Sequence, residues 1–167
     1  MNTTKTYIWL FSLVTFLMVG VTSCSENSDD PKYRSKLPVF TDITAAALDG
    51  GEIKAGTDVV LTAVQSKAGR LLDNTTYTWS CTPFNSDVNH RYKKKVIYDV
   101  QNANPVDTLS FPQSGKYEVT FVGKYSISGQ YDMYNSTEKL ENGTTVTYKT
   151  LGQLHYEVTL KKWITVK

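Results

Sequence analysis

From Leu37 to the C-terminus, apolar and polar residues alternate with a period of two over most of the chain. This is the mark of half-buried β-strands. The pattern predicts strands near Val39–Thr44 and over Thr57–Gln65, Thr76–Thr82, Tyr92–Val100, Asp107–Phe111, Lys116–Ile127 and His155–Val166. Tyr77, Trp79 and Cys81 share one face of their strand, with Thr78, Ser80 and Thr82 on the other. Tyr117, Val119 and Phe121 likewise oppose Glu118 and Thr120. Between Thr57 and Gln65 both faces are fairly apolar, so the register stays open there. In the last strand Tyr156, Val158, Leu160, Ile164 and Val166 lie together, and Lys162 falls among them. A lysine in that phase predicts a bulge near Lys161-Lys162.

Turn chemistry separates these runs: Asp49-Gly50-Gly51, Lys67-Ala68-Gly69, Asp73-Asn74, Asn102 to Pro105 and Pro112 to Gly115. Ser128-Gly129 predicts a hairpin. The stretch from Tyr131 to Thr150 reads as an insertion outside the strand pattern, with Asn142-Gly143 as its best turn. No helix-period segment of useful length follows residue 23, and no long-period repeat is present. Seven or more short strands with such punctuation predict an all-β sandwich.

The N-terminus obeys a different rule. Tyr7 to Val21 is an uncharged apolar run preceded by Lys5, and it spans 15 residues. That falls short of the ~20 residues of a membrane-spanning helix and suits the core of a secretory signal peptide; a short membrane anchor is the other reading. The run ends in Val21-Thr22-Ser23-Cys24, which resembles the bacterial lipobox. The resemblance implies cleavage before Cys24, diacylglycerol on its thiol and acylation of the new amine. Two or more acyl chains anchor a protein stably where one does not.

Ser25-Glu26-Asn27-Ser28-Asp29-Asp30 then resembles the acidic export signal of Bacteroidetes-type surface lipoproteins. That implies an outer-membrane protein facing the cell exterior. The plain alternative for these letters is a solvated tether. The chain thus divides into a signal peptide (1–23), a lipidated polar tether (24–36) and a sandwich domain (37–167). Loss of the signal peptide removes Lys5 and leaves 17 basic against 16 acidic residues. Such a balance implies no nucleic-acid partner. With Cys24 lipidated, the one remaining cysteine, Cys81, has no disulfide partner, so the domain holds by packing.

Within the domain, Ala55-Gly56-Thr57-Asp58-Val59-Val60-Leu61-Thr62-Ala63, Tyr77-Thr78-Trp79 and Ser114-Gly115-Lys116-Tyr117-Glu118-Val119-Thr120-Phe121 resemble the PKD domain. This is an immunoglobulin-like module of cell-surface proteins. The resemblance covers roughly residues 53 to 127. It departs after the Trp strand, where Cys81-Thr82-Pro83-Phe84 stands in place of the family's Gly-Asp-Gly turn and a long excursion, Asn85 to Asn104, follows. Trp79 and Tyr117 are the expected core residues, Tyr117 in the position of the tyrosine corner of such sandwiches.

Candidate chemistry is sparse. His90 and His155 stand at metal-ligand spacing neither from each other nor from Cys81, so no metal and no cofactor is expected. No nucleophile elbow, zinc-protease motif or phosphate loop occurs, which argues against an enzyme. A hydrolase with an unrecognised carboxylate pair is the residual possibility. Cys81 reads as a small buried hydrophobe, with a reactive thiol as the alternative. His90-Arg91-Tyr92-Lys93-Lys94-Lys95 reads as a lysine-protected edge strand, or as a grip for an anionic surface. Asp107-Thr108-Leu109 resembles a bacterial O-glycosylation sequence. There are 11 tyrosines, and Tyr131, Tyr134 and Tyr148 in the insertion are the candidate ligand contacts, since aromatic faces stack on sugar rings. Their competing role is to cap the core.

The expectation is therefore a membrane-anchored surface module for binding or adhesion, its ligand a glycan or a surface protein. The alternative is a structural subunit of an outer-membrane assembly.

Overall fold

The computed structural model describes residues 33–82, 94–97, 104–129, 132 and 134–167. Among them are nine strands: β1 (Val39–Ala47), β2 (Asp58–Lys67), β3 (Leu72–Thr82), β4 (Lys94–Ile97), β5 (Val106–Ser110), β6 (Gly115–Ile127), β7 (Asn135–Lys139), β8 (Thr145–Thr150) and β9 (His155–Val166). They build two antiparallel sheets, one of order β1-β2-β5 and one of order β4-β3-β6-β9-β8-β7. The protein is all-β.

Along β2, β3, β6 and β9 the sequence alternation becomes alternation in burial. Val59, Leu61 and Ala63 of β2 are buried while Val60, Thr62 and Val64 are half-buried, which settles the register the sequence left open. The buried side chains of both sheets form one core. Phe40 of β1 meets Phe121 of β6 with ring centroids 5.4 Å apart, and Trp79 lies 4.9 Å from the same ring. Trp79 is 2 % exposed. Gly123 continues the inward face of β6 because Tyr125 folds back over it: a Cβ there would stand 2.8 Å from the Tyr125 hydroxyl. A glycine inside a strand commonly marks such a close approach.

At the start of β6 the buried Tyr117 donates its hydroxyl to the carbonyl of Gln113 at 2.9 Å and packs its ring 4.8 Å from Phe111. That bond fixes the corner between β5 and β6. At the opposite end of the sheets the N-terminal segment is already docked. Lys36 bridges Arg70, and the Ser35 hydroxyl donates to Leu71 O and accepts from Gly129 N, both at 2.9 Å.

Three local expectations change, and the structure of the Tyr131–Thr150 insertion, which the sequence left open, is decided. The β6–β9 register runs from Gly115↔Val166 to Ser126↔His155 without a shift, so there is no bulge at Lys161-Lys162. Lys162 keeps its inward phase because Asp42 compensates its charge. Ser128-Gly129 does not turn β6 into a neighbouring hairpin: β6 pairs with β3 and β9, and Gly129 is held by Ser35. Asp73-Asn74 lies inside β3, at a register shift between Leu72 and Asn74, rather than in a loop. The stretch after Tyr131 supplies β7 and β8, a hairpin added to the far edge of the large sheet. Its turn is Asn142-Gly143, where Gly143 takes a φ of +83° and the Asn142 side chain accepts from Thr144 N at 3.0 Å. Asn followed by Gly suits such a turn because Asn bonds its own backbone and Gly has no Cβ to clash.

Candidate functional site

Two surfaces of the large sheet carry the candidate chemistry, and they face opposite ways. The first is the inner side of the β7–β8 hairpin. Cross-strand pairing places Ser136 and Glu138 of β7 with Tyr148 and Val146 of β8, in phase with the inward Val158 and Leu160 of β9. Tyr148 is half-buried and its hydroxyl is fully engaged. It donates to Pro38 O at 3.2 Å and accepts from Phe40 N at 3.1 Å. Burial pushes the phenol above its ordinary pKa, the Phe40 amide opposes this, and the Glu138 carboxylate adds to it.

Tyr134, at the foot of β7, sets its ring edge-on to Tyr156 at 5.6 Å. Its phenol is also raised, first by burial and then by the Asp132 carboxylate. Both tyrosines pack against the core. Tyr131 lies outside the described residues. The hairpin thus gives Tyr134 and Tyr148 packing duties. Beside Tyr148, Asn135, Ser136, Thr137, Thr147 and Lys149 line a shallow groove of about 280 Å³.

The hairpin also reaches across to β1. Asn142 Nδ2 donates to Thr41 O at 2.9 Å, and Thr144 Oγ1 donates to Asp42 Oδ1 at 2.7 Å. Lys162 Nζ lies 2.6 Å from the same carboxylate oxygen. β1 is irregular at this place, with register shifts on both sides of Phe40. Thr41 is left without a strand partner, and its carbonyl is the one Asn142 takes.

The second surface is the outer face of the large sheet. Register assigns to it Lys116, Glu118, Thr120, Val122 and Lys124 of β6 and Glu157, Thr159, Lys161, Trp163 and Thr165 of β9. Thr145, Thr147 and Lys149 of β8 and Thr137 and Lys139 of β7 follow. Trp163 is 59 % exposed there. Its cross-strand partner is Glu118, which pairs with Lys161 at 3.5 Å. β8 begins at Thr145, opposite Lys161, so past that point β9 pairs with β6 alone and Trp163 has one open flank. Apart from Trp163 and the half-buried Val122, these residues of β6 to β9 carry hydroxyls, carboxylates and ammonium groups.

The sequence reading did not single out Trp163. The signal was present: a tryptophan in the polar phase of a strand whose other phase is wholly core except for Lys162.

The remaining candidates are placed as follows. Cys81 is 2 % exposed, and burial pushes its thiol up to about 12, where almost no thiolate exists near neutral pH. His155 is exposed, with Ser126 Oγ 3.3 Å from Nδ1. Thr108 is exposed on β5, an edge strand of the small sheet. Of the basic cluster, Lys94 and Lys95 lie on β4, an edge of the large sheet, while His90 to Lys93 fall outside the described residues. Residues 1–32, among them Cys24 and the acidic letters, fall outside them as well. Among the described residues no three His, Cys, Asp or Glu side chains converge on a point that could hold a metal ion. No family model, curated protein or solved structure matches the chain.

Proposed function

We propose that this chain is a lipoprotein anchored through Cys24 in the outer membrane, and that its PKD-like sandwich is a binding or adhesion module displayed to the exterior. Anchoring and address rest on Val21-Thr22-Ser23-Cys24 and the acidic residues after it. The immunoglobulin-like type rests on strand order. β1, β2 and β5 stand where strands A, B and E of such a domain stand, and β4, β3, β6 and β9 where C′, C, F and G stand. The β7–β8 hairpin then occupies the F–G connection. Trp79 on the C-equivalent strand and the Tyr117 corner on the F-equivalent strand support the same reading.

The observation that carries the binding function is Trp163. Burying an indole is worth about 1.5–3 kcal/mol or more, and its rigid, amphipathic ring makes Trp163 the residue of this face best suited to hold a partner. The face around it is polar, whereas the face of a permanent subunit contact is apolar at its centre. That favours a reversible ligand over a fixed place in an assembly.

The test uses whole cells carrying the parent protein, the Trp163→Ala variant or neither. Adherence is measured to a panel of immobilised polysaccharides and to the cell's own outer-membrane protein fraction. Adherence that needs the parent protein and falls with Trp163→Ala supports the module. Equal adherence of all three strains overturns it.

A further inference from the structure

The outer face of the large sheet has a charge pattern that bears on the ligand. Across β6 to β9 it presents five lysines and two glutamates: Lys116, Lys124, Lys139, Lys149 and Lys161 against Glu118 and Glu157. Each glutamate is already matched, Glu118 by Lys161 at 3.5 Å and Glu157 by Lys124 at 3.6 Å. Lys116, Lys139 and Lys149 are exposed and form no ion pair among the described residues. This β6–β9 part of the face therefore carries an uncompensated positive charge although the mature chain is close to neutral.

Lys116 is the one of these three nearest Trp163. It pairs across the strands with Thr165, two residues along β9 from Trp163. Such diagonal neighbours stand ~7–8 Å apart, within the reach of a lysine side chain. The indole is thus flanked by an unpaired ammonium, the Thr165 hydroxyl and the Glu118 carboxylate.

We infer that Trp163 and Lys116 form a subsite for a carboxylated glycan. The inference rests on the binding-module reading and names its ligand class. A pyranose has a C–H-lined face and a polar rim. The face stacks on the exposed indole, which supplies rigid contact area at low entropic cost. A carboxylate on the ring reaches the Lys116 ammonium as a charge-assisted hydrogen bond. Glu118 and Thr165 take ring hydroxyls. A neutral sugar leaves the ammonium without a charged partner, and protein hot spots sit in well-packed desolvated pockets rather than on an open polar face. Lys139 and Lys149, farther across the sheet, extend the positive field along which an acidic polymer lies.

β9 begins at His155, next to Leu154, whose carbonyl accepts from Ile127 N two residues before the Gly129 that Ser35 holds, and Trp163 lies eight residues farther on. At ~3.3 Å per residue the indole is ~26 Å along the strand from that end. Within the described residues the subsite thus lies toward the other end of β9 from the docked Ser35-Lys36 segment.

The test takes the full mature chain in detergent micelles and measures binding to polygalacturonate, to dextran, and to vesicles of anionic phospholipid. Retention by polygalacturonate and not by dextran is expected. Affinity falls as salt rises from about 50 to about 500 mM, since exposed charges are screened over that range. Trp163→Ala weakens binding about tenfold or more and Lys116→Glu about as much, a loss of ~1.4 kcal/mol for each factor of ten. Both variants keep the parent melting temperature, because neither side chain is buried. Equal retention on dextran, equal binding to the vesicles, or variants that bind as the parent does each overturn the inference. If polygalacturonate is not bound while whole-cell adherence still depends on Trp163, the module stands and the carboxylated glycan falls.

Discussion

Lys162 and Asp42, 120 residues apart in sequence, meet at 2.6 Å and join the two sheets across the edge of the sandwich. Each side chain is 22 % exposed, and Thr144 donates to the same carboxylate oxygen. An inward lysine on β9 would by itself be a charge facing the core, and Asp42 on the irregular part of β1 removes that cost. Truncating one partner of such a pair leaves the other half-buried and unmatched, which costs more than the pair contributes. Asp42→Ala should lower unfolding stability by about 1–3 kcal/mol in urea titration. With Lys162→Met the double-mutant cycle should show a coupling above ~0.5 kcal/mol. Additive effects would mean that the bridge does not tie the sheets.

Tyr148→Phe keeps the ring and removes the hydroxyl that bridges Pro38 and Phe40. Leaving both backbone groups unmatched should cost about 1–2 kcal/mol. A hydroxyl that served a ligand instead of β1 would leave the melting temperature alone and alter glycan retention.

Alkali should unfold the domain through its tyrosines. Tyr77, Tyr125 and Tyr148 are all raised above 10, each first by burial. Above that pH the unfolded chain loses phenolic protons that the folded chain retains, so stability falls as pH rises from the ordinary tyrosine value toward the folded one. Below about pH 9 these groups are protonated in both states and contribute no slope. Urea midpoints measured from pH 8 to 11 should be flat and then drop, and the drop should lessen in Tyr148→Phe. A flat profile to pH 11 would contradict the burial of these hydroxyls.

The Cys81 thiol, pushed up to about 12 and packed on the Trp79 face of β3, should resist alkylation in the folded protein. Iodoacetamide at pH 8 followed by mass spectrometry should label it only after urea is added. Rapid labelling without urea would place the thiol at the surface.

Cys24→Ser should leave the precursor uncut or release the protein from membranes, because the thiol is the proposed acyl acceptor. Fractionation and intact mass of the two forms decide this. A variant that is processed and stays in the membrane fraction as the parent does would rule out the lipobox.

The period-two pattern by itself determined that the domain is all-β, where most strands lie, and, outside Thr57–Gln65, which residues of most strands face inward. Tyr77, Trp79, Val119 and Phe121 are in the core for that reason, and Asn142-Gly143 is a turn because its local chemistry favours one. Alternation describes a side chain relative to its own strand only. It carries no record of which strands become neighbours. The tertiary structure decided that the Tyr131–Thr150 stretch adds a hairpin to the sheet edge, that Tyr148 is tied to β1, and that Lys162 meets Asp42 in place of a bulge. It also decided that the outer face of β9 stays open around Trp163. The Tyr148 and Lys162 contacts join residues more than a hundred positions apart, and the free energy that selects them comes from packing two sheets together.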